Sequence, residues 1–224
     1  VDTHKNPGYA IVTLTMKKTG TPPGDVSDRQ LEQIADLADQ YSFGEVRVTH
    51  QQNVVLADVR KDQLFELWQA ITPMGFATAN LNTLTDVICC PGGDYCALAN
   101  AKSIPVAESI QRQFDDMDYL YDIGNIDLNI SGCMNACGHH HVGNIGVLGV
   151  DKKGQEFYQI SLGGSSHHDA AIGKILGPSF AREDMPEVMQ KIINVYVDNR
   201  TEEEPFLDTY RRIGIEPFKE RVYA

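Results

Sequence analysis

Residues 9–16, YAIVTLTM, alternate apolar and polar, with Ala10, Val12, Leu14 and Met16 on one face, which predicts a half-buried strand. After the loop TGTPPGD, SDRQ at 27–30 has the capping-box form, and Leu31, Ile34, Leu37 and Ala38 continue it as one helical stripe. Val46 and Val48 open a second strand, which QQN at 51–53 interrupts, and residues 54–59 make a third. Asp62 starts a helix carrying Leu64, Phe65, Leu67, Trp68 and Ile71, with Trp68 and its neighbours read as core. The order β-α-β-β-α is most of a ferredoxin-like unit, to be completed by a strand over 77–84.

Beyond about Leu81 the pattern changes to Gly- and Cys-rich loops between short elements. Val106, Ile110 and Phe114 predict a helix over 104–114, and Ile126, Leu128 and Ile130 alternate as a strand. Residues 143–150 and 156–162 flank DKKG at 151–154 as a hairpin. A strong helix is expected over 185–197 and a short one over 204–213, with the tail KERVYA exposed. The fold class is α+β: a ferredoxin-like half-domain at 1–80, then a mixed α/β domain at 81–224.

Charge and composition narrow the function. The net charge of −12, with no Lys/Arg-rich stripe, argues against a nucleic-acid surface. No apolar run reaches membrane-spanning length, so no membrane role is expected. VDTHKNPGYA has neither the basic nor the apolar region of an export signal, and the start at Val suggests a processed or trimmed chain. Five cysteines fall into two groups, Cys89, Cys90 and Cys96, then Cys133 and Cys137. Without an export signal they read as a metal site in a reducing compartment, and cytoplasmic is the expected location.

The cysteine spacing carries the chemistry. Five residues, PGGDY, separate Cys90 from Cys96, and three, MNA, separate Cys133 from Cys137. Zinc sites favour two to four residues between paired ligands, so the first pair is atypical for zinc. The C-x₂-C-x₂-C of bacterial ferredoxins and the C-x-x-C of thioredoxins are absent. Four thiolates with one long Gly-containing arm suit a [4Fe–4S] cubane. PGG at 91–93 lets the backbone wrap closely, and buried structural thiols or a Cys₄ zinc domain stay open as alternatives.

CCPGGDYCALANAKS followed by NISGCMNACGHHHVGNIGVLGV resembles the signature of siroheme-containing sulfite and nitrite reductases. VRVTHQQNVVLADV is similar to the ferredoxin-like half-domain of that family, so the resemblance spans essentially the whole chain. It implies Cys90, Cys96, Cys133 and Cys137 as ligands of a [4Fe–4S] cluster, with Cys137 also bridging to the siroheme iron. The implied reaction is the six-electron reduction of sulfite to sulfide or of nitrite to ammonia, in sulfur assimilation rather than respiration. Ferredoxin or a flavoprotein would be the electron donor.

Family members are usually about twice this length, and the residues that grip sulfite lie mainly in their N-terminal half. Gln51 stands where the catalytic half would carry an Arg. The chain therefore reads as a C-terminal half, inactive alone, whose partner is the N-terminal half of the same enzyme. A non-catalytic iron–sulfur electron carrier or redox sensor is the alternative. Asn135, between two ligands, is a candidate for a hydrogen bond to a cluster sulfur or the haem edge, and Arg47 for the siroheme region. Cys89 is expected to be a small buried hydrophobe, His139, His140 and His141 to pack beside the cofactor, and His167 and His168 to be solvated.

Overall fold

The chain begins with a two-residue strand, β1 (Asp2–Thr3), paired antiparallel with β2 (Tyr9–Leu14). In β2 every second residue is buried, namely Ala10, Val12 and Leu14, as the alternation requires. Helix α1 (Asp28–Tyr41) opens with the full capping box: Ser27 Oγ accepts from Gln30 N–H, and Gln30 Oε1 accepts from Ser27 N–H. Its buried stripe is Ile34, Leu37, Ala38 and Tyr41, while Leu31 in the first turn faces solvent. Strands β3 (Arg47–Val48) and β4 (Val54–Arg60) follow, then α2 (Leu64–Ile71). The sheet order is β1-β2-β4-β3, antiparallel throughout.

Two expectations fail here for physical reasons. Residues 77–84 form no strand. Within them, Asn80 uses its side chain on the chain around β2, accepting from Thr15 Oγ1 at 3.0 Å and donating to the Lys17 carbonyl at 3.1 Å. Such side-chain bonds compete with a backbone ladder, and β1 already holds the free edge of β2. Trp68 is not core: it is 52% exposed and stacks on Phe65, itself 67% exposed, with ring centroids 5.6 Å apart. Leu67 and Ile71 are the buried face of α2. One helix of eight residues against one sheet face has room for a single narrow stripe.

The structure is a computed structural model that describes residues 1–224, and it divides into two units, Val1–Leu81 and Asn82–Ala224. The second is built on a mixed five-stranded sheet of β5 (Ile88–Cys89), β6 (Leu128–Ser131), β7 (Ile145–Lys152), β8 (Gln155–Leu162) and β9 (Lys174–Ile175), in that order. β5, β6 and β7 are parallel, and β7, β8 and β9 antiparallel. All four residues of β6 are buried, as expected of a central parallel strand. Between β5 and β6 lie α3 (Ile104–Gln113) and α4 (Met117–Ile123), which supply the crossover a parallel pair needs. The expected hairpin is β7–β8, with Lys153 and Gly154 both at positive φ in its turn.

Helices α5 (Met185–Asn199), α6 (Phe206–Ile213) and α7 (Glu216–Tyr223) complete this unit, and α5 packs against α3, α6 and α7. The tail is mostly exposed, as expected, but it is not a free end. It is α7, anchored by buried Phe218 and Val222, and Phe218 packs edge-on to Phe206. Four residues separate Phe218 from Val222, the helical spacing that puts both on one face.

The exposure of Trp68, the single tryptophan, predicts strong acrylamide quenching of native fluorescence and a small emission shift on unfolding. Trp68→Ala should cost under about 1 kcal/mol by urea denaturation and Leu67→Ala about 2–5 kcal/mol. A second prediction concerns acid. Glu204 accepts from Arg212 Nε at 2.9 Å, Thr209 Oγ1 at 2.9 Å and Thr201 N–H at 3.2 Å, and these bonds, with Arg212 the leading cause, hold its carboxyl down to about 2. A folded pKa below the ordinary value of 4.5 means stability that is present above pH 4.5 and lost as pH falls toward 2. Glu204→Gln should therefore lower Tm at pH 7, and the difference from the parent should shrink across that window.

Candidate iron–sulfur site

Two adjacent parallel strands end in the two cysteine groups. β5 pairs with β6 in register, Ile88 with Asn129 and Cys89 with Ile130, so Cys90 leaves β5 where Ser131 and Gly132 leave β6. The Ile130 carbonyl accepts from Cys90 N–H at 3.1 Å. The Gly132 carbonyl accepts from Asn100 N–H at 2.9 Å and Ala101 N–H at 3.0 Å, which folds the far end of the first loop back onto the second. Ligand sites at the carboxyl ends of parallel strands are a general property of such sheets, because the loops there converge.

Between these anchors, Cys96 N–H donates to the Gly92 carbonyl at 2.9 Å, closing the turn between Cys90 and Cys96. Gly132 N–H donates to Cys90 Sγ at 3.1 Å, and Ser103 Oγ lies 3.4 Å from the same sulfur. Both groups surround a thiol that is itself buried.

The second group turns sharply. Ala136 N–H donates to the Cys133 carbonyl at 3.1 Å, and Ala136 sits at φ +56, a left-handed conformation uncommon outside glycine. His139 repeats it at φ +55, its N–H donating to Ala136 O at 2.7 Å. The turn is held from beneath by β6: Ser131 Oγ accepts from Gly138 N–H at 3.1 Å, and Asn129 Nδ2 donates to His139 O at 3.0 Å. A Cβ on Gly138 would collide with the Ile130 carbonyl, so only glycine lets this backbone lie on the strand. Strained conformations persist where neighbours over-determine them, and here β6 does so.

The thiols grade in exposure. Cys90 and Cys133 are buried, Cys96 is half-buried, and Cys137 is exposed, as is Asn135 beside it. Met134, Tyr95 and Leu98 form exposed apolar positions on the same two loops. Cys89 points away into the core, its Sγ 3.2 Å from the Cys90 carbonyl oxygen. Among the histidines, His139 and His141 are exposed and His140 is buried with its ring 3.9 Å from that of His141. Burial, followed by the neighbouring His141, lowers the pKa of His140 to about 4, so it is neutral at pH 7. His140 Nδ1 and Asn129 Oδ1 have no protein partner although both side chains are buried. His167 is largely exposed, 3.5 Å from Asp127.

No three His, Cys, Asp or Glu side chains gather closely enough to share one metal ion. A tetrahedral zinc site needs sulfurs roughly 3.8 Å apart, whereas a cubane takes one thiolate at each of four separate irons. Arg47 lies on β3 of the first unit, exposed and ion-paired with Glu45 at 2.6 Å. Ser103, Ser131, Gly132 and Gly138 escaped the sequence reading as site residues. Only the small-residue bias around the cysteines pointed to them.

The family profile described as "Nitrite/Sulfite reductase ferredoxin-like half domain" matches residues 9–74, and that described as "Nitrite and sulphite reductase 4Fe-4S domain" matches 81–224. The ferredoxin–nitrite reductase of Synechococcus elongatus is 31% identical over 180 residues, covering 77% of this chain and 34% of that protein. Sulfite reductase [ferredoxin] 2 of Mycolicibacterium paratuberculosis is 28% identical, covering 82% of this chain and 35% of that protein. The chain thus spans about a third of the length of these curated relatives. An assimilatory-type sulfite reductase of Nitratidesulfovibrio vulgaris is 22% identical over 214 residues, covering 96% of this chain and 92% of that protein. The solved structure of Mycobacterium tuberculosis NirA shares the fold, with TM-score 0.76 and 22% identity over 97% of this chain and 42% of that one. No helix is long and apolar enough to cross a membrane. With the 4Fe-4S profile matching 144 of its 224 residues, from 81 to 224, the chain belongs to the nitrite and sulphite reductase 4Fe-4S domain family.

Proposed function

We propose that this chain holds a [4Fe–4S] cluster on Cys90, Cys96, Cys133 and Cys137 and a siroheme joined to it through Cys137, and that it serves the reduction of sulfite or nitrite. The observation that carries the reading is the joint origin of the two cysteine groups: adjacent parallel strands deliver them to one place, and backbone hydrogen bonds stitch their loops together. The donor set is all sulfur, and Gly132 N–H already points at one ligand atom.

When bound, the two cofactors supply single-electron delivery and an open iron face for the oxyanion. The chain's own residues do the rest. Cys90 and Cys133 keep two ligands out of water, which protects iron–thiolate bonds and lowers the local dielectric. Cys137 is the one exposed thiol of the four, suited to a second metal centre on its outer side. Asn135, equally exposed, offers an amide to a ligand sulfur or the haem edge. Arg47 belongs to the proposal as a siroheme-binding candidate, and its pair with Glu45 would open when an anionic cofactor competes. The domain boundary near Leu81 follows the division into two units.

We place the protein in the cytoplasm with ferredoxin or a flavoprotein as donor. Relatives of which this chain covers only 34–35% favour a second, N-terminal half that completes the anion grip. One observation favours a self-sufficient chain instead: the Nitratidesulfovibrio vulgaris sulfite reductase is matched over nearly its whole length.

Anaerobic reconstitution with iron, sulfide and siroheme tests the reading. About four irons and four sulfides per chain and siroheme absorption bands are expected; one zinc with no acid-labile sulfide would sink it. Cys137→Ser should disturb haem and cluster spectra together, whereas Cys89→Ala should leave both intact. Gly138→Ala should lower cluster occupancy several-fold by lifting the Cys137 turn off β6. Turnover of sulfite or nitrite by the reconstituted chain with a strong artificial reductant is expected to be negligible; measurable turnover decides for self-sufficiency.

A further inference from the structure

Ser103 occupies the N-cap position of α3 but does not cap it. Its side chain makes no hydrogen bond to the first turn, and its backbone is helical (φ −87, ψ −42) rather than extended. Pro105 lacks an N–H, which removes one of the two donors a capping serine normally serves. The residue is nevertheless fully buried, where a serine hydroxyl without a partner is costly. Its hydroxyl lies 3.4 Å from Cys90 Sγ.

Two glycines make room for this contact. A Cβ on Gly92 would lie 2.6 Å from Ser103 Oγ, and one on Gly132 would lie 2.9 Å from it. The hydroxyl is therefore walled by two Cα positions and a sulfur. A larger side chain at Gly92 or Gly132 would displace it. Gly132 also supplies the N–H that donates to Cys90 Sγ at 3.1 Å. Two donors from different segments, one at the end of β6 and one at the start of α3, converge on one sulfur.

In a free thiol either Cys90 or Ser103 can give the proton. A thiolate bound to iron carries none, so the hydroxyl must then donate. We infer that Ser103 is a tuning residue for the cluster, donating to the Cys90 thiolate and raising the cluster's reduction potential. The inference rests on the cluster reading above. Reduction adds negative charge that spreads onto the ligand sulfurs, so a donor there stabilises the reduced form more than the oxidised one. The role is positional and electrostatic: Ser103 acts on the electron relay through Cys90 alone.

The test is redox titration of the reconstituted chain followed by electron paramagnetic resonance, comparing the parent with Ser103→Ala. With iron and sulfide content equal in both, the variant's midpoint should be more negative, by about a tenfold fall in the reduced-to-oxidised ratio at fixed potential, or about 59 mV for one electron. Resonance Raman of the parent, reconstituted in D₂O, gives a reading that does not depend on the variant folding. An Fe–S(Cys) stretch should move on deuteration, and the shift should shrink in Ser103→Ala. Equal midpoints at equal cluster content, or no deuterium shift in the parent, would overturn the inference. A parent chain that takes up no iron and sulfide would overturn the cluster reading itself, and the inference with it.

Discussion

The second unit depends on the burial of one short strand. β6 is four residues long, buried along its whole length, and flanked by parallel neighbours on both sides. That position obliges each of its backbone groups to find a partner inside the protein, because water cannot reach them. Its last carbonyls meet the obligation by accepting from the first cysteine loop: Ile130 from Cys90, and Gly132 just beyond from Asn100 and Ala101. Its polar side chains, Asn129 and Ser131, bond the turn that follows Cys137. A structural need of the sheet and the geometry of the site are thus the same set of hydrogen bonds.

From this follows the gradation of the thiols. Those closest to the strand ends, Cys90 and Cys133, are buried by the packing that buries β5 and β6. Those further along each loop, Cys96 and Cys137, reach outward. The outer parts of the two loops carry exposed Asn135, Met134, Tyr95 and Leu98, beside Asp94, which is ion-paired with Lys102 at 3.1 Å.

The first unit shows how local pattern and tertiary demand compete. α1 follows its sequence closely because a capping box and a four-residue apolar stripe agree with one another. In α2 six of the eight positions are apolar, and the sheet can bury only one side, so Phe65 and Trp68 are left outside. Residues 77–84 carry enough apolar content to suggest a strand, but Asn80 is drawn into bonds with Thr15 and Lys17. The helical tail is the converse case. Phe218 and Val222 were in plain view, yet a short helix has little stability of its own and forms here because α5 offers it a surface.

What the chain's sequence determined by itself was whatever depends on spacing along one segment. Strand alternation, the capping box, the hairpin turn and the C-x₅-C and C-x₃-C pairs all act over a few residues, where covalent geometry dictates the outcome. That Cys89 and Cys90 face different ways follows from the alternation of adjacent residues, whereas the choice of Cys90 as the site candidate came from the family resemblance. Only the tertiary structure decided that Ser103, eleven residues beyond Gly92, would lie against a cysteine sulfur, and that Ser131 and Asn129 would hold the turn after Cys137. Those contacts join segments whose separation along the chain carries no signal. They exist because a parallel pair of strands, linked through two helices, brings its ends to one place.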